Sequence, residues 1–326
     1  MSDLLAPSSP PHALVTGGAG FIGSHLCERL LADGYRVTCL DNLSTGSLRN
    51  IAGLTERPGF AFREHDATEG LGRTDRVDLV FHLASAASPP QYQRRAVETL
   101  RAGSVGLFAA LDLAARDGAR LVFASSSEVY GDPEEHPQPE SYRGRVSTTG
   151  PRSMYDEAKR FGEAACAAYR TSRGVDAKIA RLFNTYGPRM DPDDGRMLPT
   201  FIRQALDGEP LTVHGTGRQT RSLCYVDDTV DGLVRLARGS WAGPVNIGGS
   251  QELTVNATAL AVLEAVGGHS PITYLPALPD DPARRRPDTA LALRHLGWRQ
   301  TTGLDDGMRA TVAWFRERLA ARAVAG

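Results

Sequence analysis

The chain has 326 residues, 41% hydrophobic and 23% charged, with a formal net charge of −1. That length supports one large or two modest domains, and the near-neutral balance gives no electrostatic basis for binding nucleic acid or a membrane surface. Its four cysteines, Cys27, Cys39, Cys166 and Cys224, form no C-x-x-C pair, which points to reduced thiols in a cytoplasmic protein and away from a disulfide framework or a zinc site.

The lead MSDLLAPSSPP has no basic region followed by an apolar run, so no signal peptide is expected, and no segment approaches the ~20 apolar residues of a membrane span. His12 to Thr16 reads as a short buried strand running into a glycine turn. Phe21 to Ala32 has helical periodicity and stops at Asp33-Gly34. Arg36 to Leu40 is a second strand. Further strands are expected at Ala61 to His65, Asp78 to Leu83, Arg120 to Ala124 and Ala177 to Leu182. Long helices are expected between them, over Gln91 to Arg116 and Met154 to Arg173. This alternation implies βαβ units: an α/β, Rossmann-type, doubly wound parallel sheet. From about Tyr186 the elements shorten, with more Gly, Pro and charge. Residues 1–185 are therefore expected to form a dinucleotide-binding domain, with returning segments near 223–248, and 186–326 a smaller mixed α/β substrate lobe.

The turn Gly17-Gly18-Ala19-Gly20-Phe21-Ile22-Gly23 lies between a strand and a helix, the setting a dinucleotide fingerprint requires. Glycines let the backbone turn tightly and approach a pyrophosphate at the helix N-terminus. Eighteen residues beyond Gly23, Asp41 ends the second strand. A carboxylate there accepts bonds from ribose hydroxyls and repels a 2′-phosphate, favouring NAD over NADP. Asp66 closes the third strand, as an adenine neighbour or a plain turn residue. Ser44-Thr45-Gly46 is a polar turn suited to the ribose side.

Ser125, Ser126 and Glu128 follow the Arg120 strand, at the carboxyl end where open α/β sheets bind ligands. Lys159 is one of only two lysines, the other 35 of the 37 basic residues being arginine. It follows Tyr155 by four residues, on the same helix face. A nearby ammonium favours phenolate and is expected to pull the tyrosine down from about 10. Tyr155 is thus a candidate acid/base for a hydroxyl.

In order along the chain, GGAGFIGSH, His82-Leu83-Ala84, SSSEVYGD, YDEAK and Phe183-Asn184-Thr185-Tyr186-Gly187-Pro188 resemble the extended short-chain dehydrogenase/reductase superfamily. HLASAASPPQY (82–92), SEVYGDPEEHPQ (127–138), GPRSMYDEAKR (150–160), FNTYGPRMDPDDGR (183–196), GEPLTVHGTGRQTRSLCYVDD (208–228) and DDPARRRPD (280–288) resemble its UDP-glucuronate decarboxylase, or UDP-xylose synthase, branch.

The resemblance implies that Tyr155 is the acid/base and that Lys159 is its partner and a ribose ligand. Ser126 would orient the sugar, and Glu128 would stand beside the reacting carbons. Arg285, aligned in preference to Arg284 or Arg286, would lie near the sugar carboxylate. Asn184 and Arg221 would hold the UDP-sugar and Arg196 would lie near the diphosphates. NAD would be held by Gly17, Gly20, Phe21, Ile22, Gly23, Asp41, Asn42, Ser44, Thr45, Gly46, Asp66, Ala67, Leu83, Ala84, Ser85, Ser125, Tyr155, Lys159 and Thr185. The implied reaction oxidises the sugar C4 hydroxyl, loses C6 as carbon dioxide from the β-keto acid and re-reduces C4 with the bound cofactor. A homodimer joined through helices around 92–116 and 154–173 is implied as well.

Gly103 replaces a common asparagine, Val146-Ser147-Thr148-Thr149 replaces an Asn-Pro stretch, and His214 replaces a tyrosine. The rival expectations are a UDP-glucuronate or other UDP-sugar 4-epimerase, and a catalytically silent NAD sensor. A 4,6-dehydratase is disfavoured because Ser127 occupies that family's aspartate position.

Overall fold

A computed structural model describes residues 9–278 and 281–325, with side chains to 322. The N-terminal lead up to residue 8 and Asp280, the first residue of the 280–288 segment, lie outside the described residues.

In chain order the elements are β1 His12–Thr16, α1 Phe21–Ala32, β2 Arg36–Asp41, α2 Leu48–Ile51, β3 Phe60–Glu64, β4 Leu79–His82, α3 Pro89–Arg94, α4 Ala96–Arg101, α5 Leu107–Asp117, β5 Arg120–Ser126, α6 Ser153–Arg173 and β6 Ala177–Leu182. Then come β7 Thr185–Tyr186, α7 Met197–Asp207, β8 Leu211–His214, β9 Thr220–Ser222, β10 Cys224–Tyr225, α8 Val226–Arg238, β11 Pro244–Ile247, β12 Glu252–Thr254, α9 Val255–Val266, β13 Ile272–Leu275, β14 Arg284–Arg285, α10 Ala290–Leu296 and α11 Leu304–Ala325.

Seven strands form one parallel sheet in the order β11-β6-β5-β4-β1-β2-β3. The order reverses between β1 and β4, and a ligand crevice opens at the carboxyl ends of strands at such a switch point. Leu14, Val15, Val80, Phe81, Leu121 and Val122 are fully buried, as expected for strands covered by helices on both faces. The remaining short strands make small sheets, among them β12-β9-β14.

The single helix expected over Gln91 to Arg116 is broken. Arg95 leaves helical geometry (φ −121°, ψ 47°) between α3 and α4. Ala102 to Gly106 then forms a wider π turn before α5 begins. The π turn turns Gly103 against α6, where a Cβ would stand 2.8 Å from the Ala158 Cβ. His82 reaches the Ala102 carbonyl of the same turn at 3.3 Å. Neither the bend nor the widening involves proline, so the apolar periodicity carried no sign of them. The strands shift from expectation only at their ends, β5 extending to Ser126 and β2 to Asp41.

Candidate active site

Every candidate site residue named above lines one cavity of about 1510 Å³ beyond the carboxyl ends of β1, β2, β4, β5 and β6. At one end lies the glycine turn. Gly17 has φ +71°, and a Cβ on it would stand 2.8 Å from the Ala84 amide nitrogen. A Cβ on Gly23 would stand 2.1 Å from the Gly17 carbonyl. The turn and the β4 end are therefore in direct backbone contact, which only glycine permits. The N-cap of α1, Gly20, supplies no side-chain acceptor, and the first turn carries no acid. Its amides and the positive end of the helix dipole are thus available to an anion.

Asp41 is held by the Ala19 amide (3.0 Å) and the Leu43 amide (2.8 Å). Burial pushes its carboxyl up, against these hydrogen bonds. Gly46 closes over it, since a Cβ there would lie 2.8 Å from Asp41 Oδ1. The Ser44 amide donates to Asn42 Oδ1 at 3.0 Å, and Asn42 Nδ2 donates to Asp66 at 2.8 Å. Asp66 also caps the turn that includes Ala67, accepting from the Thr68 amide and hydroxyl. Burial alone would raise its carboxyl, but these donors outweigh burial and hold it low. Asp66 is thus a turn residue and a cavity residue together. The glycine cradle, the open helix terminus and a carboxylate 22 residues along the chain from Ala19 fit a dinucleotide with a free 2′-hydroxyl.

At the chemical end, Tyr155 and Lys159 lie on the inner face of α6, both buried. Lys159 Nζ donates to the Ala124 carbonyl at 2.9 Å and lies 5.4 Å from the Tyr155 ring centre. Burial lowers its ammonium to about 8. Tyr155 stacks on Tyr92 with ring centres 5.1 Å apart. The expected pull of Lys159 on the phenol is not what the free site shows. Burial pushes Tyr155 up to about 12, opposed chiefly by the Ser126 hydroxyl. Desolvation of phenolate outweighs a lysine whose ammonium is already turned to a backbone carbonyl. His82 is held neutral by burial and by Lys159, down to about 3. With the Ala102 carbonyl on Nε2, the imidazole proton sits there, and Nδ1 accepts from the Thr16 hydroxyl at 2.9 Å.

Beyond β5, the 3₁₀ turn Ser127–Tyr130 presents Glu128. Glu128 Oε2 accepts from Arg152 at 2.5 Å and from Arg285 at 3.2 Å. Arg285 Nη1 also donates to the Ser127 carbonyl. Burial alone would raise the Glu128 carboxyl, but Arg285, Arg152 and Arg221 outweigh burial and hold it below the usual range. On β14, alternation leaves Arg284 exposed and Arg285 only 2% exposed; Arg286, beyond the strand, lies 4.0 Å from Glu252. Arg221 pairs in register with Arg285 across β9 and β14 and meets Asp281 at 2.6 Å.

Other expected residues are engaged locally. Arg196 makes a bidentate pair with Asp194 at 2.6 and 2.7 Å. The Asn184 carbonyl accepts from the Cys224 amide. The Thr185 hydroxyl meets Phe183 and Thr229, and Ser125 donates to Glu163 at 2.6 Å.

Two residues were missed. Arg152, three positions before Tyr155, is the closest partner of Glu128, and Tyr92 forms the wall behind Tyr155. Arg152 sits one helical turn from Tyr155, a signal hidden by the abundance of arginine. Among the described residues, no group of three or more His, Cys, Asp or Glu could hold a metal, and no helix is long and apolar enough to cross a membrane.

Comparison with known proteins agrees with this geometry. UDP-glucuronic acid decarboxylase 1 of Xenopus tropicalis is 47% identical over 306 residues, covering 94% of this chain and 72% of the relative. The structure of UDP-glucose 4-epimerase from Thermotoga maritima with UDP-glucose superposes with a TM-score of 0.87 at 29% identity, covering 94% of this chain and 99% of that one. A mutant UDP-glucuronic acid 4-epimerase from Bacillus cereus, in complex with UDP-4-deoxy-4-fluoro-glucuronic acid and NAD, superposes at 0.82 with 27% identity, covering 94% and 99%. Residues 13–248 match the NAD dependent epimerase/dehydratase family. That match spans more than half of the chain and takes in the glycine turn, Asp41 and the buried Tyr155 and Lys159, and the chain belongs to that family.

Proposed function

We propose that this protein is an NAD-dependent enzyme that decarboxylates UDP-glucuronate to UDP-xylose. The observation that carries this reading is the Glu128 carboxylate held between Arg152 and Arg285, in the same cavity as Tyr155 and Ser126. Its strongest companion is the 47% identity to a decarboxylase across nearly the whole chain. The 4-epimerase neighbours share the fold at lower identity.

NAD, bound across Gly17 to Gly23, Asp41 and Leu83 to Ser85, would supply a hydride acceptor and then a donor at sugar C4, and its cationic ring would favour phenolate at Tyr155. Tyr155 takes the C4 hydroxyl proton, with the Ser126 hydroxyl as the partner that favours its phenolate. Ketone formation at C4 makes the C6 carboxylate that of a β-keto acid, so carbon dioxide leaves and the electron pair delocalises into an enolate. Arg285 and Arg152 orient the departing carboxylate. The enolate then takes a proton from solvent water at C5; Glu128, kept ionised by two guanidiniums, organises that position and does not hold the proton at rest. Tyr155 returns its proton as C4 is reduced.

Residues 1–185, with the returning segment near 223–248, would hold NAD; residues 186–326 would hold the UDP-sugar through Asn184 at the boundary, Arg196 and Arg221. A homodimer is supported by Val97, Leu100, Val105, Phe108 and Phe161, all exposed on α4, the π turn, α5 and α6. Phe108 and Phe161 are edge-on at 5.5 Å, forming one continuous patch. A cytoplasmic location is supported by four buried cysteines, none in a disulfide.

Trapping of carbon dioxide from carboxyl-labelled UDP-glucuronate tests the activity. Release that depends on Tyr155 supports it; retention of the label in a UDP-uronate product assigns a 4-epimerase instead.

A further inference from the structure

Asp156, next to Tyr155 on α6, is 6% exposed, and its Oδ1 is enclosed with no hydrogen-bond partner among the described residues. The groups facing it are Tyr92 from α3, Glu128 from the 127–130 turn, Arg285 from β14, and Arg152, Tyr155 and Glu157 around the start of its own helix. An ionised carboxylate here would leave Oδ1 without the donor that an enclosed anionic oxygen requires, and would stand beside the Glu128 anion. Burial first, then Glu128, pushes its carboxyl up to about 7.

The charge of the surrounding cluster gives this position a consequence. Three guanidiniums, Arg152, Arg221 and Arg285, meet two carboxylates, Glu128 and Asp281. With Asp156 neutral, one positive charge is in excess; with Asp156 ionised, none is. We propose that Asp156 is a positioning residue that enters the reaction as a neutral acid, leaving one uncompensated positive charge at the Glu128–Arg152–Arg285 cluster for the carboxylate of the sugar. The inference rests on the uronate reading given above. It also requires that an anionic sugar favours the protonated form of Asp156, so that ionising Asp156 weakens the anion and leaves a neutral sugar unaffected.

The test uses two ligands that cannot be oxidised at C4: UDP-4-deoxy-4-fluoro-glucuronate and UDP-4-deoxy-4-fluoro-glucose. They differ only in the C6 carboxylate, so titration of Lys159 beside the shared C4 position affects both. Binding to the NAD-loaded enzyme is measured by calorimetry between about pH 6 and about pH 8.5, for wild type and Asp156→Asn. The expected result is that wild-type preference for the uronate falls roughly tenfold as pH rises through about 7. In Asp156→Asn the preference stays constant across the range. A pH-independent preference in the wild type, or the same fall in both proteins, overturns the inference while leaving the uronate reading intact. Failure of the uronate to bind better than the neutral sugar at any pH overturns the uronate reading, and the inference with it.

Discussion

Tyr155 shows how far a single spacing can be read. A tyrosine four residues before a lysine placed both on one helix face, but the spacing said nothing of the desolvation that drives the free phenol up to about 12. Tyr155→Phe is expected to lower kcat by about 10³-fold, within the range for a general acid/base, while NAD affinity measured by fluorescence titration stays within about threefold. Arg285 was legible only through the resemblance; on β14 it is buried while its strand neighbour Arg284 is exposed. Arg285→Ala leaves Glu128 with Arg152 alone as its close cationic partner. It should cost about 3 kcal/mol of stability, read by thermal melting. Arg152 and Asp156 were not legible, since their roles come from what faces them and not from any motif. For Asp156 the folded carboxyl lies near 7, above the ordinary 3.8. The neutral form is therefore favoured by folding, and its contribution is present at low pH and lost as pH rises from about 4 through about 7. Melting curves of Asp156→Asn should gain on wild type over that window, by on the order of a few kcal/mol at pH 8; a gap that does not change with pH contradicts the assignment.

At the scale of elements, β1 and α1 were legible to the residue because their apolar runs end at glycine or at Asp33-Gly34. The α3–α5 region was not. Its apolar pattern continues through Arg95 and through the π turn, where packing against α6 and the His82 bond to Ala102 set the geometry. Gly103 is the residue that allows this approach. Gly103→Val, which puts carbon into the Ala158 contact, should destabilise the protein by about 1–3 kcal/mol and lower the melting temperature by several degrees. An unchanged melting temperature would show that α6 can yield there.

For the whole molecule, the reversal of strand order between β1 and β4 puts the glycine turn beside Leu83 and Ala84. Short strands from the C-terminal half then close the other side, so that Arg285 meets Glu128, 157 residues away in the chain. That closure was legible only through resemblance, because two-residue strands such as β14 leave no periodic trace. Phe108→Glu combined with Phe161→Glu should convert the proposed dimer to monomer in sedimentation velocity. A wild type already monomeric at micromolar concentration contradicts the proposed interface. The central claim is that a hydroxyl is oxidised so that a carboxylate can leave. The most direct measurement is proton NMR of purified, NAD-loaded protein turning over UDP-glucuronate in heavy water. The expected product is UDP-xylose carrying one solvent deuterium at C5, where the carboxylate stood. UDP-galacturonate with its carboxylate intact, or unchanged UDP-glucuronate, would contradict the account.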